Sequence, residues 1–117
     1  MKTENKILEM SFDFALQTIT LYRKLIDKKE FIISKQLLRS GTSIGANVEE
    51  AIAAQSRKDF ISKMSIASKE SRETRYWLRL LDKSKIIEMD YSPYLQNSEH
   101  IINILTKIVK TTQQTAA

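Results

Sequence analysis

The sequence predicts an all-α protein, an up-down-up-down antiparallel four-helix bundle that oligomerises. Three observations carry that expectation. Apolar residues recur at alternating spacings of three and four in four separate stretches, which is the period of one helix face. The 117 residues contain 2 Gly and 1 Pro, too few turn residues for a sandwich or barrel. The links between the stretches are short, and short links make sequential helices antiparallel neighbours. The length suits one domain spanning residues 1–117.

The helices are expected at about 4–27, 31–54, 57–83 and 93–111. In the first, Leu8, Phe12, Ala15, Ile19, Tyr22 and Ile26 form the leading apolar line, with Phe14, Leu21 and Leu25 beside it. Asp27, Lys28, Lys29 and Glu30 read as the first turn. The second helix carries Leu37, Gly41, Ile44, Val48 and Ala51 on one face. Ser56 reads as an N-cap, with Asp59 in the capping-box position. The third has the cleanest period, through Phe60, Met64, Ala67, Ser71, Thr74, Leu78 and Leu81. A connection over roughly 84–91 follows, with Ile86 and Ile87 expected against the end of the bundle. Ser92 and Pro93 then make a start signal, Ser as cap and Pro at the first helical position. The fourth helix carries Leu95, Ser98, Ile102, Leu105 and Val109, with Ile101, Ile104 and Ile108 alongside. The uncharged tail from Thr111 to Ala117 is expected to fray. Two apolar lines on helices one and four exceed what a single four-helix core needs, and surplus apolar surface is usually hidden in a partner.

Nineteen Lys and Arg against 14 Asp and Glu give a net charge of +5. That balance permits contact with nucleic acid without demanding it. Absence of Cys removes disulfides, thiolate metal sites and Cys nucleophiles. The first residues, with Lys2, Glu4, Lys6 and Glu9, do not read as a leader. No apolar run approaches the ~20 residues of a membrane span. The expectation is a cytoplasmic protein.

The second helix holds an unusual polar seam. Gln36, Ser40, Ser43, Asn47 and Glu50 share a face beside the apolar line, and they are mostly short hydrogen-bonding residues rather than Lys and Glu. Short polar residues suit close helix approach, where each buried donor needs a partner. Both glycines, Gly41 and Gly45, lie here, and each costs a helix about 1 kcal/mol relative to Ala. That cost makes sense if another backbone passes close by or the helix bends. The readings of the seam are packing with local satisfaction, a subunit contact, or a polar ligand pocket.

Gln36, Arg39, Ser40, Ser43, Ile44, Asn47 and Glu50, followed by Ile66, Ala67 and Glu73, resemble the bacterial four-helix-bundle family encoded in intervening sequences of 23S ribosomal RNA genes. The resemblance spans about 12–105. Some members carry a ribosomal-protein designation, and the family is similar to the accessory variability protein of diversity-generating retroelements. The resemblance implies a ring-like homo-oligomer, a pentamer, with a nucleic-acid-binding role. The retroelement relatives bind nucleic acid and a reverse transcriptase through basic surfaces. The chain departs from the pattern at Ala51, where many members have Gly, and at Glu70, where many have Ser.

On the third helix Lys69, Arg72, Arg79 and Lys83 lie close to one face, with Arg75 at its edge. Such a row can follow a nucleic-acid backbone, and arginines can bind phosphate bidentately. Tyr76 and Trp77 lie beside it and could stack on a base. The plainer reading is a solvated face with a Lys69–Glu73 pair and Trp77 packed at an edge.

Glu50, Glu70, Glu73 and His100 invite comparison with di-iron bundles. Those need Glu-x-x-His pairs, however, and the chain has one His. Glu50 and Glu73 are instead expected to pair with Arg39 or Arg72 in a buried network that sets helix register. No phosphate loop, nucleophile elbow or metal motif is present. No catalytic residue, cofactor, metal or small-molecule substrate is therefore expected. Two function classes stay open. One is a non-enzymatic RNA-binding or ribonucleoprotein accessory protein using the basic face of helix three. The other is a structural or protein-interaction module with no nucleic-acid role.

Overall fold

The computed structural model describes residues 2–116. They form α1 (Lys2–Asp27), α2 (Ile33–Ile52), α3 (Arg57–Ser84) and α4 (Ser92–Ala116), with no strand among them. Cross-helix partners give the direction. Arg39 and Ser40 meet Glu73 and Thr74, whereas Glu50, further along α2, meets Lys63, further back along α3, so α2 and α3 are antiparallel. Gly41 against Thr18 and Gly45 against Ser11 establish the same relation for α1 and α2. Consecutive helices pack along their length, α1 and α4 touch most sparsely, and the diagonal pairs do not meet. The result is a rod of 48 × 21 × 21 Å.

The core follows the expected line on α3, where Met64, Ala67, Ser71, Thr74, Leu78 and Leu81 are all buried. On α1 the expectation is reversed. Ile7, Ser11, Phe14, Thr18, Leu21 and Leu25 point inward, whereas Phe12 is 59%, Leu16 51% and Ile19 41% exposed. Both lines are apolar enough to be buried, so the opposing surface decides. An ideal Cβ on Gly41 would lie 2.6 Å from Thr18 Cγ2, and one on Gly45 would lie 3.3 Å from the Ser11 carbonyl oxygen. The two glycines admit α1 at close range only where it too is slim, at Ser11 and Thr18. The hydroxyls of those residues donate to their own helix, Ser11 Oγ to Leu8 O and Thr18 Oγ1 to Phe14 O, so no polar group is stranded. The heavier line is left facing out, flanked by half-buried Leu8, Ala15, Tyr22 and Ile26.

The connections are closed by side chains in place of glycine. Lys29 turns the chain after α1 in the left-handed region at φ 68°, and Lys85 does the same after α3 at φ 57°. The Glu30 carboxylate accepts from the backbone N–H groups of Ile32, Ile33 and Ser34. It places negative charge at the α2 N-terminus, so α2 starts at Ile33, two residues later than expected. Ser56 caps α3 by accepting from the Asp59 N–H at 3.0 Å. Ser56→Ala is expected to lower the unfolding free energy by about 1 kcal/mol, seen as a lower urea midpoint with unchanged slope.

After α3, Ile87 packs against the core but Ile86 stays exposed, contrary to expectation. The plug is Tyr91, buried, with its hydroxyl donating to Ile87 O at 2.7 Å. Burial pushes its phenol above the usual range, helped by the charges of Asp82 and Glu30. Asp90 accepts from the Ser92 hydroxyl and N–H, which holds its carboxyl below the usual range. Helix α4 therefore opens at Ser92, one residue ahead of Pro93. At the other end α4 runs on to Ala116 where fraying was expected. No Gly or Pro interrupts it, and propagation adds a hydrogen bond per residue without needing an apolar period. Ala117 lies outside the described residues.

Candidate nucleic-acid interface

The inward register of α3 fixes what its opposite side presents. Lys69, Arg72, Tyr76, Arg79 and Lys83 are all exposed, at spacings of three, four, three and four. They form one row about 21 Å long at ~1.5 Å per residue. No acidic side chain of α3 falls in it. Glu70 and Glu73 face the α2 side, and Asp82 is half-buried. Arg72 leans onto α4, donating to Thr106 Oγ1 at 3.0 Å. Arg75 is held by Glu99, with its Nη1 3.2 and 3.3 Å from the two carboxylate oxygens. Lys69, Arg79 and Lys83 make no ion pair or side-chain hydrogen bond among the described residues. The row thus offers three free cations and one half-engaged guanidinium, while Arg75 is already neutralised. Exposed Lys110 stands one turn beyond Thr106 on the antiparallel neighbour, towards the Lys69 end, and exposed Lys107 lies beside it. Neither was legible from the sequence, because the register of α4 on α3 is set by contacts between the helices, Arg72 with Thr106 and Arg75 with Glu99.

The aromatic pair divides its roles. Trp77 is half-buried, and its indole N–H donates to Glu73 Oε2 at 3.1 Å. Tyr76 is 53% exposed and meets Trp77 edge to face, with centroids 5.1 Å apart.

The polar seam occupies the α2–α3 contact. Within it the Ser40 and Thr74 hydroxyls are buried 2.9 Å apart, and Thr74 Oγ1 also reaches Glu70 O. Asn47 Nδ2 donates to Ser43 O at 2.9 Å. One end is closed by Arg39, which donates to Glu73 at 2.8 Å and lies 3.4 Å from Gln36 Oε1. The other end is closed by Lys63 on Glu50 at 2.8 Å, a bond that raises the Lys63 ammonium above its usual range. The expected Arg39–Glu73 pair is present. Two other expectations are corrected: Glu50 pairs with Lys63, and no Lys69–Glu73 pair forms among the described residues, Glu73 being taken by Arg39 and Trp77. Nor is the network buried, since the Arg39 side chain is 60% exposed. Exposed pairs contribute little, about 0–1 kcal/mol, so the seam's specificity rests on the Ser40–Thr74 contact. Glu70, the departure noted in the sequence, keeps Oε1 buried with no hydrogen-bond partner among the described residues.

No described helix is long and apolar enough to cross a membrane. A comparison with curated proteins finds no match. Among solved structures, a protein of unknown function from the S23 ribosomal protein family of Bacteroides thetaiotaomicron is 46% identical. The match covers 92% of this chain and 98% of that one, with a TM-score of 0.88. The profile of the 23S rRNA-intervening sequence protein family matches residues 3–107, and with the four-helix architecture and the α2 seam in place, the chain belongs to that family.

Proposed function

We propose that the protein is a non-enzymatic, homo-oligomeric accessory protein that holds nucleic acid on the exposed face of α3. The observation that carries this reading is the row, free of α3 carboxylates, in which Lys69, Arg79 and Lys83 have no partner among the described residues. Unpaired cations in line neutralise phosphates and release the counterions condensed on the nucleic acid, so affinity is mostly electrostatic. The family name and the ribosomal designation of the solved relative point to an RNA setting.

Self-assembly is supported by the outward stripe of Phe12, Leu16 and Ile19 on α1. Large contiguous apolar surface marks an interaction site, and a ring of five copies is the assembly the family resemblance implies. Helices α1 and α3 are diagonal in the bundle, so a contact through α1 leaves the basic row open.

A salt titration of binding to generic RNA and DNA tests the nucleic-acid role. Affinity should fall steeply with salt. Neutralising Lys69, Arg79 or Lys83 to Gln should each flatten the log–log slope by about 0.7–0.9. Absence of binding at low salt would overturn the reading in favour of a protein-interaction module.

A further inference from the structure

We infer that the α3 row takes single-stranded nucleic acid, with the Tyr76 ring as the platform on which a base stacks between flanking phosphates. This rests on the nucleic-acid reading above and names the form of ligand that the site selects.

Tyr76 occupies the middle of the row, with Arg72 and Lys69 one and two turns before it and Arg79 and Lys83 one and two turns after it. A row built only for phosphates has no use for an aromatic at its centre. A tyrosine there interrupts the line of cations and leaves about half its surface in water. Its neighbour shows how the position is held. Trp77 is anchored to Glu73 through its N–H and packs against the core, and it meets Tyr76 at an interplanar angle of 71°. The contact is edge to face, and no parallel-stacked ring covers Tyr76 among the described residues. Trp77 is committed to the bundle, and Tyr76 is braced by it at the ring edge.

A duplex turns its base faces inward, so it can offer this site only phosphates and groove edges. A single strand or loop can offer an unstacked base to the ring and phosphates to the cations on either side. Stacking tolerates any base because each has a π face. The site therefore discriminates strandedness and leaves sequence largely unread. Lys110 of α4, beside the Lys69 end, gives the strand a further cation.

Fluorescence anisotropy with labelled oligo(U), oligo(dT), and RNA and DNA duplexes of equal phosphate number tests the inference. The single strands should bind more tightly than either duplex at the same salt. The oligo(U) and oligo(dT) arms then show whether ribose or deoxyribose is preferred. Tyr76→Ala should weaken single-strand binding about tenfold or more, in the range of one lost base stack, while leaving duplex affinity and the salt slope unchanged. Tyr76→Phe should keep wild-type affinity. Trp77, the sole tryptophan, should change its emission when oligo(U) binds the wild type. Equal affinity for strands and duplexes, or a folded Tyr76→Ala variant with undiminished single-strand binding, would overturn the stacking role while the salt-dependent reading stands. No binding of any probe would overturn both.

Discussion

Gly41→Val is expected to destabilise the fold by about 2–3 kcal/mol, the upper part of the range for overpacked cores. The reason is the α1–α2 contact. An ideal Cβ at position 41 meets Thr18 Cγ2 at 2.6 Å, Oγ1 at 2.8 Å and Cβ at 3.1 Å. Thr18 cannot turn away cheaply. It is buried, β-branched side chains are stiff at χ1, and its hydroxyl is tied to Phe14 O at 2.8 Å. The helices must separate, and the better helix propensity of the new residue returns only a few tenths of a kcal/mol.

Gly45→Ala provides the contrast. Its nearest neighbour is the Ser11 carbonyl oxygen at 3.3 Å, a contact relieved by a few tenths of an ångström. The propensity gain of about 1 kcal/mol should leave that variant near neutral. Thr18→Ala combined with Gly41→Ala should recover most of what Gly41→Ala alone loses. Urea melts at fixed protein concentration decide the matter, and a Gly41→Val variant as stable as wild type would disprove the close-approach account.

Phe12→Glu together with Leu16→Glu should reduce the solution mass to that of the 13.5-kDa protomer, with the far-ultraviolet helix signal retained. Both side chains lie off the core, at 59% and 51% exposure, so the protomer itself loses little packing. Surface changes of this kind usually stay within about 0.5 kcal/mol for the isolated chain. In an assembly they would place two carboxylates in an apolar contact, where burial without partners is costly. Multi-angle light scattering reads the result directly. A wild-type protein that runs as a monomer would remove the assembly from the proposal. A double variant with unchanged mass would move the contact off α1. Apparent melting temperature should also become less dependent on protein concentration in the variant, since mass action couples assembly to stability.

Much of the fold was legible because a helix writes its period locally. The α3 core line from Met64 to Leu81 and the cap at Ser56 follow from spacing within one segment. The basic row was legible for the same reason, since the residues opposite a buried line must be exposed. Caps drawn from farther away were missed. Glu30 serves α2 from three residues upstream, and Asp90 serves Ser92, each through a carboxylate whose aim depends on the turn it sits in. Lys29 and Lys85 fill left-handed positions where glycine would have been the readable signal.

The candidate site shows the same division. The period of α3 placed Lys69, Arg72, Arg79 and Lys83 together. It could not show that Arg75 is spent on Glu99 or that Glu50 belongs to Lys63, since those partners stand on other helices. It could not separate Tyr76 from Trp77 either, because the indole hydrogen bond to Glu73 decides which ring stays free.

The sequence by itself determined four amphipathic helices, their order and the face of α3 that carries charge, because these follow from 3.6-residue geometry within each segment. Only the tertiary structure decided which apolar line of α1 turned inward. Two lines of similar hydrophobicity competed for one core, and steric fit at Gly41 and Gly45 selected the slimmer one, leaving Phe12, Leu16 and Ile19 on the outside.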